Sequence, residues 1–196
     1  MPLRTSNFWA PVFFLYFGLQ LPVRDILLLE AIYYFAVVVL EVPSGYFSDR
    51  FGRVRTMRAA SLMLTAGYGF LALGDDFFAY AVGQLFVAGS FSFMSGTSAS
   101  FHLDTLEALE RQEEFGPRQA RLERNTYFAG TVAALAAGIA GAFDLRWAYL
   151  AALAVSVAPF VLAWLMREPL RAGPSAARNP LTQVAQCTLS LIHISE

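Results

Sequence analysis

The chain has 196 residues, of which 57% are hydrophobic and only 15% charged. An average soluble domain carries about 25% charged residues, so this balance excludes an ordinary water-soluble fold and reads as an integral membrane protein. The net charge of -1 excludes little, because in such a chain what matters is where the charges fall, and all fourteen basic residues are arginines.

With about 20 apolar residues per bilayer crossing, the sequence predicts six segments, over 8–22, 26–47, 56–74, 77–100, 125–143 and 147–166. All are read as helices, since runs such as 31–42 and 145–157 lack the alternating polarity of barrel strands. Pro22, the group Pro43, Ser44 and Gly45, the pair Asp75 and Asp76, and Asp144 supply the breaks. The expected fold class is all-α, a six-helix transmembrane bundle over 1–169, followed by a cytoplasmic linker and tail over 170–196. The first segment has about 15 residues before Pro22, short of the roughly 17 a crossing needs, which points to an internal or miscalled start at Met1. The last ten residues, 187–196, read as a non-native tail of translated adapter sequence, against a native amphipathic start to a loop. The one cysteine, Cys187, excludes an internal disulfide framework and a CxxC metal site.

The arginines set the topology. Arg4 precedes the first segment, Arg50, Arg53, Arg55 and Arg58 follow the second, Arg111, Arg118, Arg121 and Arg124 follow the fourth, and Arg167, Arg171 and Arg178 follow the sixth. Only Arg24 and Arg146 fall on the other side, a bias that predicts both termini and the charged cluster on the cytoplasmic side.

The densest of these clusters has the form GxxxDRxGRxR, with Gly45, Asp49, Arg50, Gly52, Arg53 and Arg55 at the fixed positions. Gly45 allows close helix approach, Asp49 can meet a helix N-terminus or a nearby arginine, and Gly52 suits a turn with positive φ. Arg53, Arg55 and Arg58 can grip lipid phosphates or close a charge network. Placed between the second and third of six segments, this pattern resembles the amino-terminal half of a major facilitator superfamily transporter. The resemblance implies that these six residues form a conformational latch, and that a second six-helix bundle is missing. It further implies a secondary transporter moving a small solute by alternating access, the alternative being a stand-alone six-span protein that homodimerises or binds a partner. No arginine lies in segment four, where Gln84 stands, and segment five lacks a Gly-Pro pair, which puts drug/proton antiport in doubt.

Glu30 and Glu41 are candidate proton-coupling groups, Glu41 alternatively an ion-pair partner of the arginines. His102 and Asp104 are either a titratable pair or caps on a helix end. The family's midplane cavity, carried over by depth, selects Asn7, Tyr16, Gln20, Tyr33, Tyr34, Gln84, Ser90, Ser92, Asn125 and Tyr127, against the plainer reading of interface tyrosines and packing serines. No HExxH, GxSxG or GxxxxGK[ST] motif occurs, so neither an enzyme nor a cofactor is expected; the expected partners are the bilayer and a small solute, not nucleic acid.

Overall fold

A computed structural model describes residues 10–166 and Glu168. Six α-helices follow in chain order: α1 (Ala10–Gly18), α2 (Val23–Phe51), α3 (Arg53–Leu73), α4 (Phe77–Ala108), α5 (Phe115–Phe143) and α6 (Leu145–Leu165), with a 3-10 turn at Gln112–Glu114 before α5. Among the described residues α2, α4 and α6 are long and apolar enough to cross a membrane, whereas α1 spans nine residues.

The helix ends depart from the apolar windows. Helix α2 runs straight through Pro43 to Phe51, so the break expected there is absent. Proline removes one N–H from the ladder, but a membrane helix tolerates this where hydroxyls offer local bonds, and Ser44 Oγ donates to the Glu41 carbonyl (2.9 Å). Helix α4 continues eight residues past 100, and α5 starts ten before 125. Hydropathy marks the stretch that seeks lipid, whereas the backbone ladder continues into water wherever side chains permit it. Two of the breaks that do occur are capped by side chains: Asp76 accepts from the Ala79 N–H (2.7 Å) and Asp144 from the Arg146 N–H (2.9 Å).

Helices α3 and α4 cross at two glycines. A Cβ on Gly83 would stand 2.9 Å from Leu71 and 3.1 Å from the Gly67 carbonyl, and one on Gly67 would stand 3.1 Å from the Gly83 carbonyl. Lipid is as apolar as leucine, so close backbone approach, rather than the hydrophobic effect, holds such helices together. Away from the arginine cluster, a core of Phe13, Tyr16, Phe17, Ile26, Leu29, Tyr68, Leu71, Tyr80 and Tyr149 joins α1, α2, α3, α4 and α6. Its rings meet mostly edge to face, as Phe17 and Tyr80 do at 4.6 Å.

Candidate functional site

The arginine-rich end is organised by Gly52, the one residue between α2 and α3. Its φ of 101° and ψ of 153° lie in a region that only glycine enters cheaply. The turn aims the first N–H groups of α3 at the Glu168 carboxylate, which accepts from Arg53 (2.7 Å) and Val54 (2.9 Å). An anion on a helix N-terminus is stabilised by both the unpaired donors and the helix dipole. The reciprocal contact lies one turn on, where the Arg58 guanidinium donates to the carbonyls of Ala163 (3.0 Å), Trp164 (3.3 Å) and Met166 (3.1 Å) at the end of α6.

Arg53 is the hub. Its Nη1 sits 2.7 Å from Asp49 Oδ1 and donates to Ser48 Oγ at 2.9 Å, while its Nε reaches Asp104 Oδ2 on α4 at 3.3 Å. The i,i+4 spacing places Asp49 over Arg53 although the chain turns at Gly52 between them. Ser48 also accepts from Thr97 Oγ1 (3.0 Å), so α2, α3 and α4 meet at one hydroxyl. Asp49 is 69% exposed and Arg53 only 16%, so the aspartate is the accessible member of the pair. Arg50 turns outward onto Tyr46, and Arg55 is exposed.

Several expectations for this end need correction. A Cβ on Gly45 would meet no described atom within 4 Å, so Gly45 is not a close-packing glycine among the described residues; it lines a small groove with Glu41, Ser44, Ser92, Gly96 and Thr97. Glu41 makes no ion pair with the arginines among the described residues, because it faces that groove. His102 and Asp104 are not a pair and do not end a helix, since α4 runs on to Ala108. His102 contacts Gln119 (3.1 Å) and the Phe115 ring, whereas Asp104 faces Arg53. Beyond α4, Glu114 binds Arg111 (2.6 Å) and Arg118 (2.7 Å), and these hydrogen bonds, that of Arg111 foremost, hold its carboxyl below the ordinary value of 4.5.

Further along the helices lies a cavity of about 300 Å³, at the small end of the roughly 300–1,000 Å³ typical of ligand pockets. Glu30, Tyr33 and Tyr34 reach it from one face of α2; Gln84, Val87, Phe91 and Met94, a helical i, i+3, i+7, i+10 series, reach it from α4 with Ser90. Leu64, Tyr68 and Leu71 of α3, Phe13 of α1 and Tyr149 of α6 complete the lining. Among the described residues that line it there is one carboxylate and no basic side chain.

Of the cavity residues read from sequence, Tyr33, Tyr34, Gln84 and Ser90 line this space, and Glu30 joins them. Tyr16 does not: it is buried in the aromatic core and donates to the Leu71 carbonyl (3.2 Å). Gln20 accepts from the Tyr80 hydroxyl instead. Ser92 donates to the Val37 carbonyl (3.3 Å) and lines the small groove. Asn125 and Tyr127 are exposed on α5, and Asn7 lies outside the described residues. Depth along a helix does not fix azimuth, and azimuth is what turns Tyr16, Ser92, Asn125 and Tyr127 away from the cavity. Sequence reasoning passed over Tyr68, Tyr149, Ser48, Thr97 and Glu168; helical spacing from Leu64 and Leu71 marks Tyr68, but no local signal marks Glu168.

No group of three or more metal-ligating side chains occurs among the described residues. No curated protein and no solved structure matches the chain. The family model of the Major Facilitator Superfamily, however, matches residues 3–193, nearly the whole sequence, and the chain therefore belongs to that superfamily of membrane transporters.

Proposed function

We propose that the chain is one six-helix half of a secondary active transporter that moves a small solute by alternating access, driven by an ion or proton gradient. The observation that carries this reading is the pairing of a breakable charge network with a separate cavity on the same helix. Asp49 and Glu30 both lie on α2, about 28 Å apart along its axis. The network is made of side-chain contacts around Gly52, with its aspartate largely exposed, so it can open and reform without unfolding a helix. Gly45, Asp49, Arg50, Gly52, Arg53 and Arg55 serve as the latch, and the open groove beside Gly45 is the seat for the second bundle. The larger cavity is the solute site, and Glu30 is the coupling carboxylate.

The protein resides in a bacterial inner membrane with the latch and both termini on the cytoplasmic side, a sidedness supported by the arginine tally. A periplasm-only reporter fused after Arg58 is expected to be inactive. The mechanism is tested by cysteine accessibility, with Ser90→Cys in a Cys187→Ser background labelled by a membrane-impermeant maleimide in right-side-out and inverted vesicles. Labelling from both sides, in a ratio shifted by Asp49→Asn, supports alternating access. Labelling from one side only, with no response to Asp49→Asn, refutes it.

A further inference from the structure

We infer that the solute is an organic cation: an amine or quaternary ammonium on a compact aromatic or aliphatic body, held with its charge at Glu30 and its body among the tyrosines. The inference rests on the reading of this cavity as the solute site and names the chemistry that the site selects.

The charge argument comes first. Glu30 is half-buried and makes no hydrogen bond or ion pair with any described residue, and among the described residues no arginine or histidine lines its cavity. A carboxylate on a membrane helix costs several kcal/mol to ionise unless a partner is supplied. Elsewhere Asp49 and Asp104 are paired with Arg53, and Glu114 with Arg111 and Arg118. Glu30 is half-buried without such a pair, unlike the exposed Glu41, and the counter-charge it lacks is what a cationic ligand brings.

The walls argue the same way. Tyr33, Tyr34 and Tyr68 present aromatic surface to the space that Glu30 faces, and the negative face of a phenol ring attracts ammonium groups within about 6 Å. A quaternary ammonium cannot donate a conventional hydrogen bond, so rings and one carboxylate suit it better than a polar pocket would. Gln84, only 6% exposed, is a second open position: its amide has no hydrogen-bond partner among the described residues. Its carbonyl can accept from a ligand N–H, and Ser90, 5% exposed on the same helix, lies within the same lining. Phe13, Val87 and Met94 leave the rest of the surface apolar, which fits the body of such a ligand and repels a sugar, whose hydroxyls would remain unpaired. An anionic solute would meet Glu30 with no cation to offset it.

The test is equilibrium binding of radiolabelled benzyltrimethylammonium to the purified chain in detergent micelles. Benzenesulfonate and benzyl alcohol serve as anionic and neutral probes of similar size. The cation is expected to bind saturably, at least about tenfold more tightly than either other probe, and Glu30→Gln should weaken it about ten- to hundredfold. Glu30→Asp, which keeps the charge, should retain most of the preference, and Gln84→Leu should affect a primary amine such as benzylamine more than the quaternary probe. Gel filtration of each variant separates lost binding from lost folding. Failure of the cation to bind, binding of all three probes within about threefold, or indifference of the folded Glu30→Gln variant overturns the inference. The maleimide labelling of Ser90→Cys responds to Asp49→Asn whatever charge the solute bears, so the alternating-access reading stands or falls apart from this result.

Discussion

Replacing Gly52 by alanine probes the turn on which the arginine-rich end depends. At φ 101° and ψ 153° a side chain strains the backbone by about 1–3 kcal/mol. The new Cβ would also stand 3.1–3.2 Å from the Glu168 carboxylate, closer than ordinary contact, and push that exposed side chain away from the Arg53 and Val54 N–H groups. Losing an anion from an exposed helix N-terminus costs about 0.3–1 kcal/mol, so the total is roughly 1.3–4 kcal/mol. Reversible unfolding of the purified chain in mixed micelles, followed by circular dichroism against the SDS fraction, measures it. Glu168→Ala alone should cost no more than about 1 kcal/mol, and it should add almost nothing on the Gly52→Ala background, because the carboxylate has already been displaced. A Gly52→Ala variant within about 0.5 kcal/mol of the parent would refute the assigned turn. Full additivity with Glu168→Ala would refute the displacement.

Gly83→Ala should destabilise the chain by about 1–3 kcal/mol in the same assay, since its Cβ meets Leu71 and the Gly67 backbone, which cannot move independently. Ser48→Ala should cost about 1–3 kcal/mol by leaving the buried Thr97 hydroxyl without its acceptor, and adding Thr97→Val should recover part of that loss. Glu114 has a depressed carboxyl, so its contribution is fully present above the ordinary value of 4.5 and is lost as pH falls below it. Acidification through that range should therefore raise protease cutting between Glu110 and Arg118 in the parent but not in Glu114→Gln, which lacks the ionisable group at any pH.

How much of this was legible depended on whether a feature is local in the chain. Six helices in order, the i,i+4 placement of Asp49 and Arg53, and the positive φ at Gly52 all follow from spacing or from residue type. The same holds for Glu30, Tyr33 and Tyr34, which fall on one helical face. Contacts set by the rotation of one helix against another were not legible. Tyr16 and Tyr33 are both tyrosines in apolar runs, yet one is locked in the aromatic core and the other lines the cavity. Gly45 looked like a packing glycine, but the close approach belongs to Gly67 and Gly83, whose runs are just as apolar. Glu168 meets its partners across more than a hundred residues of chain, a distance no periodicity spans.

The polar contacts also divide the helices by how firmly they are joined. Helix α2 is tied to α4 by Val37 with Ser92 and Ser48 with Thr97, and Arg53, at the start of α3, reaches Asp104 of α4. Along α4 these contacts span twelve residues, about 18 Å. Helix α3 is tied to α6 by Thr65 with Ser156 and by Arg58 with the last carbonyls; α1 is tied to α3 by Tyr16, and the turn after it to α4 by Gln20. Among the described residues α5 has one such tie, Gln119 with His102, and its hydroxyls at Thr126 and Thr131 bond within their own helix. Where surrounding lipid gives apolar contacts little preference for one register, polar ties of this kind fix it. Helices α1, α2, α3, α4 and α6 therefore behave as one stitched body, with the cavity inside it and the Asp49–Arg53 contact at one end. In the proposed cycle, opening that contact reaches the solute as a rotation of this body against its neighbours, with α5 the helix freest to shift, rather than as a repacking passed from side chain to side chain.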